Sequence, residues 1–199
     1  MRPELIFVDN GSKDGSHEFL LQQDCGRVLQ DPTAGVSKLR NLGASIAKGK
    51  YLSFIDSDCV VGPDYFQRLP QAFRECHCAC TGSMVSIPDS PHWIEATWNG
   101  LHRRSTPGPV QYLNSGNVAV LRDAFDTVGG FDESLKTGED AAFGLALRNV
   151  GFSVVEDLSL RAIHLGNPKT LREFFCKEVW RGQGALGTVT TLAWTSHSC

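Results

Sequence analysis

The sequence predicts an α/β fold with a mostly parallel central sheet flanked by helices. Three observations carry that prediction. Short apolar runs alternate with helical patterns, the order that buries a sheet between helices. Acidic residues follow several of those runs, as in Asp9 after Phe7-Val8 and Asp56-Ser57-Asp58 after Phe54-Ile55. In such folds ligands gather at the carboxyl ends of the strands. No repeat or linker interrupts the 199 residues, so they read as one domain.

Leu5-Ile6-Phe7-Val8 reads as a buried strand. Asp9 to Ser16, with Gly11 and Gly15, is a turn-rich loop, and a short helix follows around Phe19 to Gln23. The stretch "GVSKLRNLGASIAKG" sets Val36, Leu39, Gly43, Ile46 and Ala47 on one helical face, with Gly49 as its stop. Tyr51 to Ile55 is the next strand. Pro63 suits the first turn of a helix to about Glu75, which Pro70 should kink or shorten. Residues 78–87 look extended, 91–104 helical and 117–121 extended. Phe143, Ala146, Leu147 and Val150 mark an amphipathic helix closed by Gly151. Val154-Val155 and Leu160 to His164 are extended. Thr170-Leu171-Arg172-Glu173 is a capping box that opens the last helix. The domain reads as residues 1–182, and the uncharged "GALGTVTTLAWTSHSC" leaves 183–199 as a tail.

Composition excludes several classes. At 41% hydrophobic and 21% charged the chain can bury a sizeable core. A net charge of -3, with no basic run among aromatics, argues against nucleic acid. No stretch reaches the ~18 apolar residues of a spanning helix, and Met1-Arg2-Pro3-Glu4 leads straight into a strand pattern rather than a leader. Seven cysteines, an odd number without framework spacing, point to a reducing cytoplasm. Cys76, Cys78 and Cys80 would share one face of a strand. Their C-x-C-x-C spacing is not that of a zinc site, so they read as small buried hydrophobes. No dinucleotide or P-loop glycine motif is present.

Asp56 and Asp58 are the sharpest chemical signal. Two carboxylates at the end of one strand repel each other unless a cation or proton intervenes. Magnesium or manganese would suit them, taking oxygen from carboxylates and substrate phosphates. Solvated loop acids are the plainer alternative.

Three blocks in order, "ELIFVDNGSKDGS", "GVSKLRNLGASIAKGKYLSFIDSDC" and "NSGNVAVLRDAFDTVGGFDESLKTGEDAAFGLALRNVGF", resemble family 2 glycosyltransferases of the GT-A fold. The resemblance covers nearly the whole chain. It implies that Asp9 contacts the base of a nucleotide-sugar donor, and that Arg40 and Asn41 lie on the donor side. Asp56-Ser57-Asp58 matches the family's D-x-D motif, which holds Mn2+ or Mg2+ against the donor diphosphate. Asp58 would be the direct ligand, and Asp56 would face ribose or metal-bound water. His164 stands where related enzymes place a histidine near the metal. In Glu139-Asp140, Asp140 would be the general base and Glu139 would orient the acceptor, although acids in a first helical turn are also favoured by the helix dipole. Asn114 to Asn117 and Gly129 to Asp132 would shape the acceptor side or simply turn the chain. Trp180-Arg181-Gly182 departs from the motif of processive members in order and spacing, so no polymer synthesis is implied.

The activity implied is inverting transfer from a nucleoside-diphosphate sugar, UDP-sugar favoured, to a hydroxyl of a saccharide or lipid-linked acceptor. It would take place in the cytoplasm, at most peripherally at the inner face of the membrane. The family opens with one further strand, loop and helix, roughly 30 residues. This chain starts at the second strand, which implies an N-terminally truncated domain and keeps an inactive remnant as an alternative. A sugar nucleotidyltransferase is a third reading, although no triphosphate loop supports it.

Overall fold

The computed structural model describes residues 3–102 and 107–182. Strand β1 (Ile6–Asp9) leads through α1 (Ser16–Gln22) to β2 (Arg27–Gln30), which pairs parallel to β1. Next come α2 (Val36–Ile46), β3 (Tyr51–Ile55), β4 (Cys59–Val61), α3 (Tyr65–Cys76), β5 (Cys80–Gly82) and α4 (Trp93–His102). The second half holds β6 (Gly108–Pro109), β7 (Asn117–Leu121), α5 (Arg122–Val128), α6 (Glu139–Asn149), β8 (Val154–Glu156) and β9 (Ala162–His164). Residues 171–182 are helical and are labelled α7.

The central sheet has five strands in the order β3-β7-β5-β8-β6. It is mixed. Strand β7 runs antiparallel to both β3 and β5, whereas β8 is parallel to β5. Alternating strands and helices fix the layers but not the direction in which a strand re-enters. The excursion through α4 and β6 brings β7 back antiparallel. Strands β4 and β9 form a separate antiparallel pair.

Strand β7 shows why the layers hold. Val118 and Val120 face Phe125, Phe131, Phe143 and Leu147. Ala119 faces the opposite way, against Tyr65, Leu69 and Phe73 of α3. Alternation along one strand thus feeds a core on each side. The Phe131 and Phe143 rings meet at a tilt, 4.5 Å between centroids, and Phe54 meets Phe131 edge-on at 5.1 Å, contacts worth about 1 kcal/mol each beyond their buried area. The start of β7 is pinned by polar bonds. Tyr65 OH donates to Asn117 Oδ1 at 2.9 Å, and Asn117 Nδ2 donates to the Leu160 carbonyl at 2.7 Å. Leaving such a buried group unpaired costs about 1–3 kcal/mol. Burial pushes the Tyr65 phenol up to about 12.

Several expectations are corrected. Helix α2 stops at Ile46 because Ala47 turns extended, three residues before the anticipated Gly49. Helix α3 runs through Pro70 to Cys76 rather than being shortened. Cys76 therefore ends a helix, so strand alternation does not apply to it. His77 is left-handed (φ 48°), and Cys76 and Cys78 are joined by a disulfide, leaving Cys80 alone on β5. The expected strand at 78–87 reduces to three residues. The capping box forms: Glu173 N donates to Thr170 Oγ1 at 3.2 Å, and Thr170 N to Glu173 Oε2 at 3.3 Å. Among the described residues, no helix is long and apolar enough to cross a membrane. The expected helix end at 103–104 and the tail at 183–199 lie outside the described residues.

Candidate active site

Asp9 ends β1 and is buried. Its carboxylate accepts from Gln30 Nε2 at 2.7 Å, and from the backbone N–H groups of Gly11 and Ser12 at 3.1 Å. The loop after β1 folds back over the side chain, with Gly11 left-handed at φ 81°. These donors, Gln30 first and then Ser12, hold the Asp9 carboxyl down to about 2.

Asp56 and Asp58 leave the end of β3 with 39% and 42% of their side chains exposed. They are held differently. Asp56 Oδ1 accepts from Arg40 Nη2 at 2.8 Å. Asp58 Oδ2 lies 3.3 Å from Nε2 of His164 on β9. The chain after β9 closes over Asp58, with Leu165 N donating to the Asp58 carbonyl at 2.8 Å. A Cβ at Gly166 would lie 2.0 Å from Asp58 Oδ2, so a larger residue there would push the Asp58 carboxylate out of this position.

Glu139 and Asp140 open α6 behind the left-handed Gly138. Glu139 is buried, and its Oε1 accepts from Arg40 Nη1 at 2.9 Å and from Ser115 Oγ at 3.1 Å. Asp140 is half-buried and accepts from Ala141 N at 2.8 Å. Burial, reinforced by Glu139, raises the Asp140 carboxyl above the usual carboxylate range, against a smaller pull from Arg40.

Arg40 thus ties the two acidic motifs together, from a position 99 residues before Glu139. Its side chain is 11% exposed, and its guanidinium sits 5.5 Å from the centroid of the Phe131 ring. Arg40 is therefore not a solvated helix-face residue: both ends of its guanidinium are engaged by acids from other elements. Asn41 points elsewhere on the same helix. Its amide donates to the Phe131 carbonyl at 2.8 Å and accepts from Phe131 N at 2.9 Å, fastening the Gly129–Phe131 turn.

Sequence reasoning missed Gly166, Cys59 and Lys177. Lys177 on α7 is half-buried, and its Nζ reaches the Gly166 carbonyl at 3.4 Å. Burial and then Arg181 lower its pKa, while Asp58 and Asp56 oppose that shift. Cys59 follows the D-x-D stretch directly, but a thiol beside carboxylates carries no specific pattern. Burial, with Asp56 and Asp58 close by, pushes that thiol up to about 12.

The residues fit a divalent cation. Asp58, Cys59 and His164 bring one donor atom each within 4.8 Å of one another. Nδ1 of His164 is buried without a hydrogen-bond partner. The glycine at 166 keeps the space beside Asp58 free of a side chain.

The chain matches the model of Glycosyl transferase family 2 over residues 1–129 and belongs to that family. It is 36% identical over 188 residues to "Uncharacterized glycosyltransferase EpsJ" of Bacillus subtilis, covering 85% of this chain and 54% of that protein. It is 39% identical over 77 residues to "Glycosyltransferase GlyG" of Streptococcus pneumoniae, covering 36% of this chain and 26% of that one. Among solved structures it is similar to mannosyltransferase PcManGT from Pyrobaculum calidifontis, in complex with GDP-Man and Mn2+. That likeness has a TM-score of 0.69 at 15% identity and covers 92% of this chain and 52% of the other. It is also similar to GalNAc-T7 with UDP, GalNAc and Mn2+, with a TM-score of 0.63 at 18% identity, covering 86% and 40%. These likenesses show the GT-A fold. The chain spans about half the length, or less, of these relatives.

Proposed function

We propose that this chain carries out metal-assisted, inverting sugar transfer from a nucleoside-diphosphate donor to an acceptor hydroxyl. One observation carries the reading: Arg40 bonds both Asp56 and Glu139, the latter 99 residues further along, which sets the D-x-D end of β3 beside the acids of α6. That is the neighbourhood a donor and an acceptor must share.

In this reading Asp140 takes the proton of the acceptor hydroxyl as its oxygen attacks the anomeric carbon. Its raised pKa makes it a better proton acceptor than an ordinary carboxylate. The bond to the diphosphate oxygen breaks in the same displacement, so the configuration inverts. Glu139, fixed by Arg40 and Ser115, orients the acceptor. Asp58 and His164 would hold a divalent cation, manganese or magnesium, and Asp56, bonded to Arg40, would face ribose or metal-bound water. When bound, the cation supplies positive charge to the departing diphosphate. Lys177 adds a second cationic group near Asp58. Asp9, kept ionised by its donors, accepts an N–H of the base, Arg40 keeps α2 against the donor side, and Asn41 holds α2 to the Gly129–Phe131 turn.

UDP is our first donor nucleotide and GDP the second. Both occur in structures of similar fold. The acceptor is a saccharide or lipid-linked hydroxyl. Free thiols at Cys25, Cys59, Cys80 and Cys176 support action in the cytoplasm, at most peripherally at the membrane, while the Cys76–Cys78 bond stands against a fully reduced chain.

A second reading has its own observation. An open cavity of about 460 Å³ lies between Phe7, Phe19, Leu20 and Ser57. If this open side does not hold a nucleotide, the folded chain transfers nothing. Calorimetry of UDP and GDP, with and without Mn2+, separates the two. We expect Mn2+-dependent binding that Asp58→Ala weakens by at least ~100-fold, since even partners behind a ligand are worth up to that. No binding of either nucleotide by a folded chain would leave the second reading.

A further inference from the structure

Cys59 stands at the acidic strand end, and the transfer chemistry does not use it. It opens β4 and lies directly opposite His164 in the antiparallel pair with β9. Residues so paired put their side chains on one face, with Cβ atoms about 4.5–5.5 Å apart. Asp58 precedes Cys59 in the chain and meets the same imidazole at 3.3 Å. One oxygen, one sulfur and one nitrogen therefore lie within 4.8 Å of one another. Metal bonds of about 2.0–2.3 Å reach all three from inside that triangle once the side chains draw in. The other ring nitrogen, Nδ1 of His164, is buried without a hydrogen-bond partner. No backbone group therefore holds the ring to one tautomer.

We propose that Cys59 is a third protein ligand at the Asp58–His164 cation site, which makes that site prefer a borderline-soft divalent ion, zinc or cobalt, over magnesium. The inference rests on the cation site of the proposed function. An all-oxygen site selects hard ions, whereas thiolate and imidazole donors select zinc and its neighbours. Three protein ligands also leave a position for a diphosphate oxygen. Ligation replaces the S–H bond of Cys59 with a sulfur–metal bond. The proton passes to water, and no electron is transferred.

Cobalt is the probe. The full chain is titrated with Co2+ and read by its sulfur-to-cobalt charge-transfer absorption in the near ultraviolet. Cys59→Ser and Cys59→Ala are measured beside it, with circular dichroism as the check on folding. We expect the band in the parent chain and its loss in both variants. We also expect at least a ~10-fold drop in the preference for Zn2+ over Mn2+. Cobalt bound without the band, a band that survives in both variants, or no cobalt binding would each overturn the proposal. Mn2+-dependent UDP or GDP binding, measured on the same samples, separates the failures. If it persists, only the sulfur ligand is wrong. If a folded chain has lost it too, the cation site itself is wrong.

Discussion

At the end of β1, Asp9 accepts hydrogen bonds from Gln30, Ser12 and Gly11. At the start of α6, Asp140 accepts one backbone bond and sits beside a second acid. The two carboxylates are driven in opposite directions. Asp9 is held down to about 2 because the chain around it supplies donors. Asp140 is raised because burial removes water without replacing it. The first arrangement fixes a charge. The second keeps a proton acceptor reactive at a cost in stability. Between them Arg40 bonds both Glu139 and Asp56, whereas Asp140 has no ion-pair partner of its own among the described residues.

The largest effect should come from Asp140→Asn. If Asp140 is the base, turnover falls by about 10²–10⁴-fold while the affinity for donor nucleotide is unchanged. Steady-state kinetics separates those quantities, and an intact rate would remove Asp140 from the mechanism. The same variant sharpens the comparison through stability. A carboxyl whose folded pKa is raised destabilises the fold once pH climbs through that value, and costs nothing below the unfolded value of about 4. The variant should therefore resist urea better than the parent at pH 7, with the gap closing toward pH 4.

Arg40→Met comes next. It leaves Glu139 buried with Ser115 and releases Asp56 toward solvent. We expect a loss of about 3 kcal/mol, the low end for a broken buried pair because Asp56 is partly exposed. Denaturant melts measure this, and an unchanged midpoint would mean that Arg40 does not hold the motifs together.

Asp9→Asn should have the smallest effect and the opposite pH signature to Asp140→Asn. A depressed carboxyl stabilises the fold above its unfolded pKa and loses that contribution as pH falls from about 4 through about 2. The variant should be less stable than the parent at pH 7, and the difference should vanish near pH 2. A difference that stays constant with pH would mean that Asp9 acts by shape rather than charge.

The strands Tyr51–Ile55 and Asn117–Leu121 were readable because their side chains are mostly apolar and their ends are polar. Helix α6 was readable from Phe143 and Leu147, which reach the core. Strand β2 was not, because Arg27-Val28-Leu29-Gln30 offers two apolar residues and gains its identity by pairing with β1. Strand β4 depends on β9, about a hundred residues away. Helix α5 starts directly from β7 with no intervening loop, so no turn signal marks it. At the site, each acid was visible as a residue type in a motif. The bridge through Arg40 was not, since nothing local to α2 shows that it meets α6.

Strand β1 has β2 as its sheet partner, and β3 has β7. The cavity lined by Phe7 and Ser57 lies between the first pair and the acidic end of β3. Helix α2 straps them together, with Gly43 close against Val8 and Ala44 set in the main core. Helix α1 contributes no buried residue. Apart from those contacts the unit is tied on by partly exposed polar links, Arg27 to the Ile46 carbonyl, Lys48 N to Glu4 and Lys38 to Asp31, so we expect the β1–β2 unit to open locally before the five-stranded sheet does. Its amides would then trade protons for deuterium long before those of β7. The chain would in effect present Asp9 on a part that breathes, and Asp58 and Asp140 on a part that does not.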